Sequence, residues 1–112
     1  MTLEFIDEDI KLAVKNGAYW FDTNYPGWAI KIDLESLQMD SCYSCVIGQT
    51  VGDYCKVVGL QTGANDWAIE NGFEAPAYGL SCRDIPDFEE VVANQYLQLE
   101  TVWTEEVKKR LG

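Results

Sequence analysis

Along the first twenty-odd residues the hydrophobic positions recur every three or four places. Ile6, Ile10, Ala13, Val14, Gly17, Ala18 and Phe21 fall on one face of a helix, with polar residues between them. The helix is expected to begin near Asp7, because Asp7, Glu8 and Asp9 then sit at its positive end. The run Asn24-Tyr25-Pro26-Gly27 ends it: proline biases Tyr25 away from helical backbone and glycine permits a turn. Gly17 lies within the apolar face, where it costs about 1 kcal/mol of helix propensity relative to alanine. A neighbouring element is therefore expected to come close there.

In the next segment, Trp28, Ile30 and Ile32 alternate with polar or small residues, which predicts a short strand over residues 28–32. Asp33 to Leu37 reads as a turn of helix. The run "SCYSCVIGQTVGDYCKVVG" then predicts one helix from Ser41, capped by Asp40 or Ser41 and stopped at Gly59. At roughly 100° per residue, Ser41, Cys45, Gly48, Gly52, Cys55 and Gly59 form a continuous seam of small residues. Tyr43, Val46, Ile47, Thr50, Val51, Tyr54, Val57 and Val58 form a broad apolar face, and Cys42, Gln49, Asp53 and Lys56 a narrow polar stripe. A helix this apolar is expected to be central. Its seam would admit a closely packed neighbour, or serve as a groove for a ligand or partner.

A short helix is expected over Asn65–Asn71, ended by Gly72. The last helix opens on "PDFEEVV", with Asp87 as N-cap and Glu90 three residues on, a variant of the capping box. It carries Phe88, Val91, Val92, Leu99, Val102 and Trp103 at helical spacing, and Lys108, Lys109 and Arg110 at its negative end. The expected fold is thus mainly α: one domain over residues 1–112, about four helices around a central helix seamed with glycine and cysteine, and one short strand.

Charge changes the picture from fold to partner. The chain carries 19 acidic and 8 basic residues, a net charge of −11, and three of the bases are the cluster at residues 108–110. Such a surface repels phosphate backbones, which argues against direct nucleic-acid binding. It draws in basic protein surfaces and speeds encounter with them; it also keeps a small aromatic-rich protein soluble. Four Trp, six Tyr and four Phe are many rings for 112 residues, so some are expected to stay exposed and available to an interface. The acidic start lacks the basic region and apolar run of a secretory signal, and no apolar stretch reaches the ~18 residues of a spanning helix. An intracellular protein without a membrane partner is expected, with its cysteines reduced.

The sequence holds no histidine. That removes Ser-His-Asp and Cys-His nucleophile systems and histidine metal ligands. A phosphate-cradling glycine loop is missing too. Cys42 and Cys45 form a C-x-x-C and are the candidate metal ligands or reactive thiols. A zinc site of four cysteines needs a second knuckle, which Cys55 and Cys82 do not supply, and a thioredoxin-like role needs a βαβ context. The plainer reading is that these cysteines are small apolar side chains. No cofactor is expected, and with carboxylates alone nothing singles out a catalytic pair.

Several of these features occur together elsewhere. The Asn16-Gly17-Ala18 turn, Pro26-Gly27-Trp28, Ile32-Asp33-Leu34, Cys42-x-x-Cys45-Val46-Ile47-Gly48-Gln49, Gly52-Asp53-Tyr54, Gly59-Leu60, Asn71-Gly72-Phe73 and a final helix of the "LETVWTEEVKKR" kind resemble a family of small bacteriophage proteins with no assigned activity. The resemblance implies a phage origin, a bacterial cytoplasm and a central block that forms one structural unit. Cys55 and Cys82 lie outside the shared pattern.

Three functional expectations follow. The first is a non-enzymatic phage protein that binds a bacterial host protein with a basic surface, in host takeover or counter-defence. In its sharper form Asp84, Asp87, Glu89 and Glu90 imitate the phosphates of a nucleic acid. The second is a small-molecule binder with a pocket beside the Gly48–Gly52 seam, flanked by Trp20, Trp28 or Trp67. The third is a metal or thiol protein using Cys42 and Cys45. Tyr96 and Leu97, off the main stripe of the last helix, could also support a homodimer.

Overall fold

The computed structural model describes residues 8–41, 43–52, 54, 57, 64–79 and 86–111. Among them the fold is mainly α and contains no strand. Helix α1 is Glu8–Asn24, α2 is Val46–Val51, α3 is Ala64–Glu70 and α4 is Phe88–Leu111; 3-10 turns occupy Trp28–Lys31 and Pro76–Gly79. The two long helices, α1 and α4, pack against one another, α3 packs on α1, and α4 also covers both 3-10 turns.

Helix α1 follows its sequence pattern. Ile10, Val14, Gly17, Ala18 and Phe21 are the buried face, and the helix stops at Asn24 before Pro26. Gly27 takes the left-handed backbone (φ 82°) that turns the chain. The close approach expected at Gly17 is present: a Cβ there would overlap the carbonyl oxygen of Asn71 and come within 2.9 Å of the Trp103 ring. Gly72 completes the contact from the other side. Its φ is 74°, and a Cβ on it would stand 2.8 Å from Cα of Val14. The backbone following α3 therefore lies directly on α1, and only glycine at both places lets it.

The short strand expected over residues 28–32 is a 3-10 turn instead. Trp28, Ala29 and Ile32 are buried, whereas Ile30 is 79% exposed. A strand would put residues 28, 30 and 32 on one face. The three-residue repeat of a 3-10 turn rotates Ile30 away from the other two. Gly27 sets this up, since its carbonyl accepts the Ile30 N–H at 3.3 Å and the chain coils where a strand would extend.

The single helix expected over residues 41–59 is also corrected. Its first part is a tight loop: the N–H groups of Tyr43 and Ser44 donate to Ser41 Oγ, at 3.4 and 3.2 Å. Cys45 has extended backbone (φ −75°, ψ 173°) and caps α2, its Sγ accepting the Gly48 N–H at 3.3 Å. The helix closes after Val51, because Gly52 turns left-handed (φ 94°) and returns its N–H to the Gly48 carbonyl at 2.9 Å. The continuous seam thus does not exist as a helical stripe. Cys45 is the N-cap, Gly48 is buried within α2, and Gly52 is an exposed C-cap with open space where its Cβ would be. Gly59 and Cys55 lie outside the described residues.

Rings build the centre of the core. Phe21 stacks on Trp28 (4.9 Å between centroids) and Phe73 on Trp103 (5.5 Å), and the two stacks meet edge-on, with Trp28 and Trp103 5.7 Å apart. Both buried indole N–H groups are satisfied: Trp103 Nε1 donates to the Gly72 carbonyl at 2.7 Å and Trp28 Nε1 to Asp22 Oδ1 at 2.9 Å. Aromatic pairs of this kind contribute about 0.5–1.5 kcal/mol each beyond the area they bury. Four of the largest rings, Trp28, Trp103, Phe21 and Phe73, are thereby taken up by the interior.

Helix α4 buries Val92, Gln98, Leu99, Val102, Trp103, Glu106 and Val107. It begins where expected, and the Asp87 carbonyl accepts the Val91 N–H at 3.0 Å. The Asp87 backbone is left-handed (φ 55°), unlike the extended N-cap of a capping box. At the other end Arg110 does more than complement the helix dipole. Its Nε and Nη2 grip both carboxylate oxygens of Asp22, at 2.9 and 2.7 Å, its Nη1 reaches Glu106 Oε2 at 3.3 Å, and its guanidinium lies 5.3 Å from the centroid of the Trp28 ring. The end of α4 is thereby fastened to the end of α1.

Candidate functional site

The sequence points to the start of α4 as a partner-binding surface, and the backbone does gather those carboxylates. Asp87, Glu89 and Glu90 occupy one turn and all three are exposed. Pro86, Val91 and Asn94 border a shallow groove of about 360 Å³ beside them. Asp84 lies outside the described residues. Further along the helix, Gln95 Oε1 accepts the Ala77 N–H at 2.8 Å and ties α4 to the Pro76–Gly79 turn. The cations of α4 stand at its opposite end, roughly 30 Å away at 1.5 Å per residue. That distance is several Debye lengths at physiological salt, so Lys108, Lys109 and Arg110 do little to neutralise the acidic turn. Two of those three are in any case engaged, Arg110 with Asp22 and Lys109 with Glu106 at 3.7 Å.

The stretch containing the C-x-x-C is organised as scaffold. Gln49, expected on a polar stripe, is a clamp: its Oε1 accepts the Asp33 N–H at 2.6 Å, and its Nε2 donates to the carbonyls of Ser44 (2.9 Å) and Asp33 (3.2 Å). Cys45 is 1% exposed and holds the start of α2. Its candidate partner Cys42 and the stripe residues Asp53 and Lys56 lie outside the described residues. Among the described residues no group of three cysteine, aspartate or glutamate side chains is gathered where it could hold a metal ion.

A second place has polar groups converging on it. Between the loop around Met39, the residues following α3 and the middle of α4 lies a cavity of about 140 Å³, lined by Met39, Asp40, Ser41, Tyr54, Phe73, Glu74 and Tyr96. The Tyr54 hydroxyl donates to Glu74 Oε1 at 2.8 Å. Burial first, and then the bond to Glu74 and its charge, push the Tyr54 phenol far above its usual range, so it stays protonated and remains the donor. Just outside, Glu100 Oε1 accepts the Met39 N–H at 2.9 Å and ties the loop to α4. Burial raises the Glu100 carboxyl, opposed by that N–H, and nearby Asp40 raises it further. The bonds of Met39 N–H to Glu100 and of Tyr54 to Glu74 were not legible in the sequence. Each joins residues from separate elements, and with 19 carboxylates no spacing marks them out.

The other expected site residues are dispersed. Trp28 is in the core; Trp20 and Trp67 pack edge to face with each other at 5.2 Å and border the Phe73 ring. None of the three comes within 4 Å of where a Gly52 Cβ would stand. Tyr96 is half-buried against the core, while Leu97 is 52% exposed. Among the described residues the exposed rings are tyrosines, Tyr19 at 74%, Tyr43 at 77% and, less so, Tyr25. No described helix is long and apolar enough to cross a membrane. Compared with protein-family models, with curated proteins and with solved structures, the chain has no match in any of the three.

Proposed function

We propose that the chain is a non-enzymatic binding protein that engages a basic surface on a bacterial protein, as a phage product acting on its host. The observation that carries this reading is the separation of charge along α4. Three exposed carboxylates share the first turn, and the helix's cations are at the far end, two of them held in ion pairs. A net charge of −11 adds a long-range field that favours encounter with a cationic partner. The phage and host elements of the proposal rest on the resemblance in sequence described above. Exposed Tyr19 and Tyr43 supply amphipathic rings of the kind enriched at interfaces.

Capture from bacterial lysate tests it. The tagged chain and a variant carrying Asp87→Asn, Glu89→Gln and Glu90→Gln are compared side by side. The expected result is a basic protein retained by the parent chain and lost with the variant. An identical set of retained proteins for both chains, or none with the parent at low salt, contradicts the proposal.

A further inference from the structure

The 140 Å³ cavity beside Tyr54 has the chemistry of a cation receptor. Three rings, Tyr54, Phe73 and Tyr96, the thioether of Met39 and Ser41 line it together with two carboxylates, Asp40 and Glu74, and no lysine or arginine is among its described lining residues. Two carboxylates are too few for calcium, which takes six to eight oxygens, and among the described residues no third metal-ligating side chain joins them. Aromatic faces instead attract a cation whose charge is spread over alkyl groups, and ring cages with an acidic wall are how quaternary ammonium groups are recognised. The volume suits a headgroup of that size and little more. Phe73 is fixed by its stack on Trp103, and Tyr54 is oriented by its bond to Glu74, so two walls are set in advance. Preorganisation of this kind reduces the entropy lost on binding.

From this lining we infer that the cavity binds a small alkylammonium group, with Tyr54 and Tyr96 as the ring walls, Phe73, whose faces are taken up by Trp103 and Trp67, as apolar backing, and Glu74 and Asp40 as the counter-charges. The site is independent of the acidic turn of α4 and of whatever protein that turn engages. Occupation would add a link between the Met39 loop, the segment after α3 and α4.

The test uses the whole chain and two ligands of nearly the same shape: choline, and 3,3-dimethylbutan-1-ol, in which a neutral carbon replaces the quaternary nitrogen. Backbone resonances of Met39, Tyr54, Glu74 and Tyr96 are followed by NMR titration, with sodium chloride at matched ionic strength as the blank. Choline is expected to shift those resonances saturably and to bind about tenfold tighter than the alcohol. Glu74→Gln and Tyr96→Leu are each expected to weaken choline binding about five- to tenfold, while Tyr96→Phe, which keeps the ring, retains it. Equal affinity for the two ligands would show an apolar pocket indifferent to charge and overturn the inference. So would the absence of any saturable shift beyond the salt blank. Should a variant fail to fold, the comparison of the two ligands on the parent chain still decides the matter.

Discussion

Gly17 and Gly52 are both glycines on helical patterns, but they answer to different physics. Gly17 is needed for space, since any side chain would run into the Asn71 carbonyl and the Trp103 ring. Gly52 is needed for its backbone angle, with φ at 94° and nothing within 4 Å of a would-be Cβ. Gly17→Ala is therefore expected to cost about 3 kcal/mol, at the upper end for overpacking, because backbone and not a flexible side chain must give way. Gly52→Ala is expected to cost about 1–2 kcal/mol through strain alone. Urea unfolding of the two variants separates these magnitudes. Thr50 offers the opposite sign. Its hydroxyl is buried on α2 and finds no hydrogen-bond partner among the described residues. Thr50→Val, which keeps the branched shape and removes the orphan oxygen, is expected to stabilise by about 1 kcal/mol in the same assay.

Elements depend on their ends, and two ends here were read differently by sequence and by structure. The amphipathic pattern of α1 and α4 was legible because each is long enough for several turns of 3.6-residue period to repeat. The block at residues 41–59 carries an equally regular period, yet Gly52 closes α2 after six residues. Periodicity records which residues are apolar; it does not record where a left-handed glycine returns the chain. The same limit hid the coil at Trp28–Lys31, whose alternation reflected composition and not a shared face. The acidic turn of α4 was readable, being local in sequence. The Tyr54–Glu74 and Met39–Glu100 bonds were not, since only tertiary packing creates them. At α2 the cap is a thiol, so Cys45→Ala is expected to lose about 1 kcal/mol and Cys45→Ser to keep most of the capping bond; thermal melts of the pair check this.

The link between the ends of α1 and α4 carries a pH signature. The hydrogen bonds from Arg110, ahead of the opposing effect of burial, hold the Asp22 carboxyl below its ordinary value of 3.8. A carboxyl lowered in the folded state binds fewer protons there than in the unfolded chain. It contributes stability above the unfolded value and loses it as pH falls through the folded one. Asp22→Asn is expected to cost about 0.5–1 kcal/mol at neutral pH, given that the pair is partly exposed. The difference from the parent chain should shrink toward zero at acid pH. Unfolding midpoints across pH 2–7, about the range over which carboxylates titrate, measure it. Glu100 acts with the other sign: its carboxyl is raised by burial, so ionising it works against the folded state.

At the scale of the whole molecule, burial and charge divide the work. The large rings that composition offered to an interface are mostly spent on the core, where Phe21, Trp28, Phe73 and Trp103 interlock. Among the described residues, what remains for recognition is charge, a few tyrosines and scattered aliphatic side chains such as Ile30 and Leu97. A binding mode built on charge must weaken as salt screens it, far more steeply than one built on apolar burial. The most direct measurement is accordingly retention of captured host protein across a salt series, from about 50 mM to about 500 mM, where the Debye length falls from roughly 14 Å to roughly 4 Å. A basic protein held at the low end and released well before the high end is the predicted result. Retention that is indifferent to salt, or the absence of any retained protein at the low end, would contradict a function carried by the acidic surface.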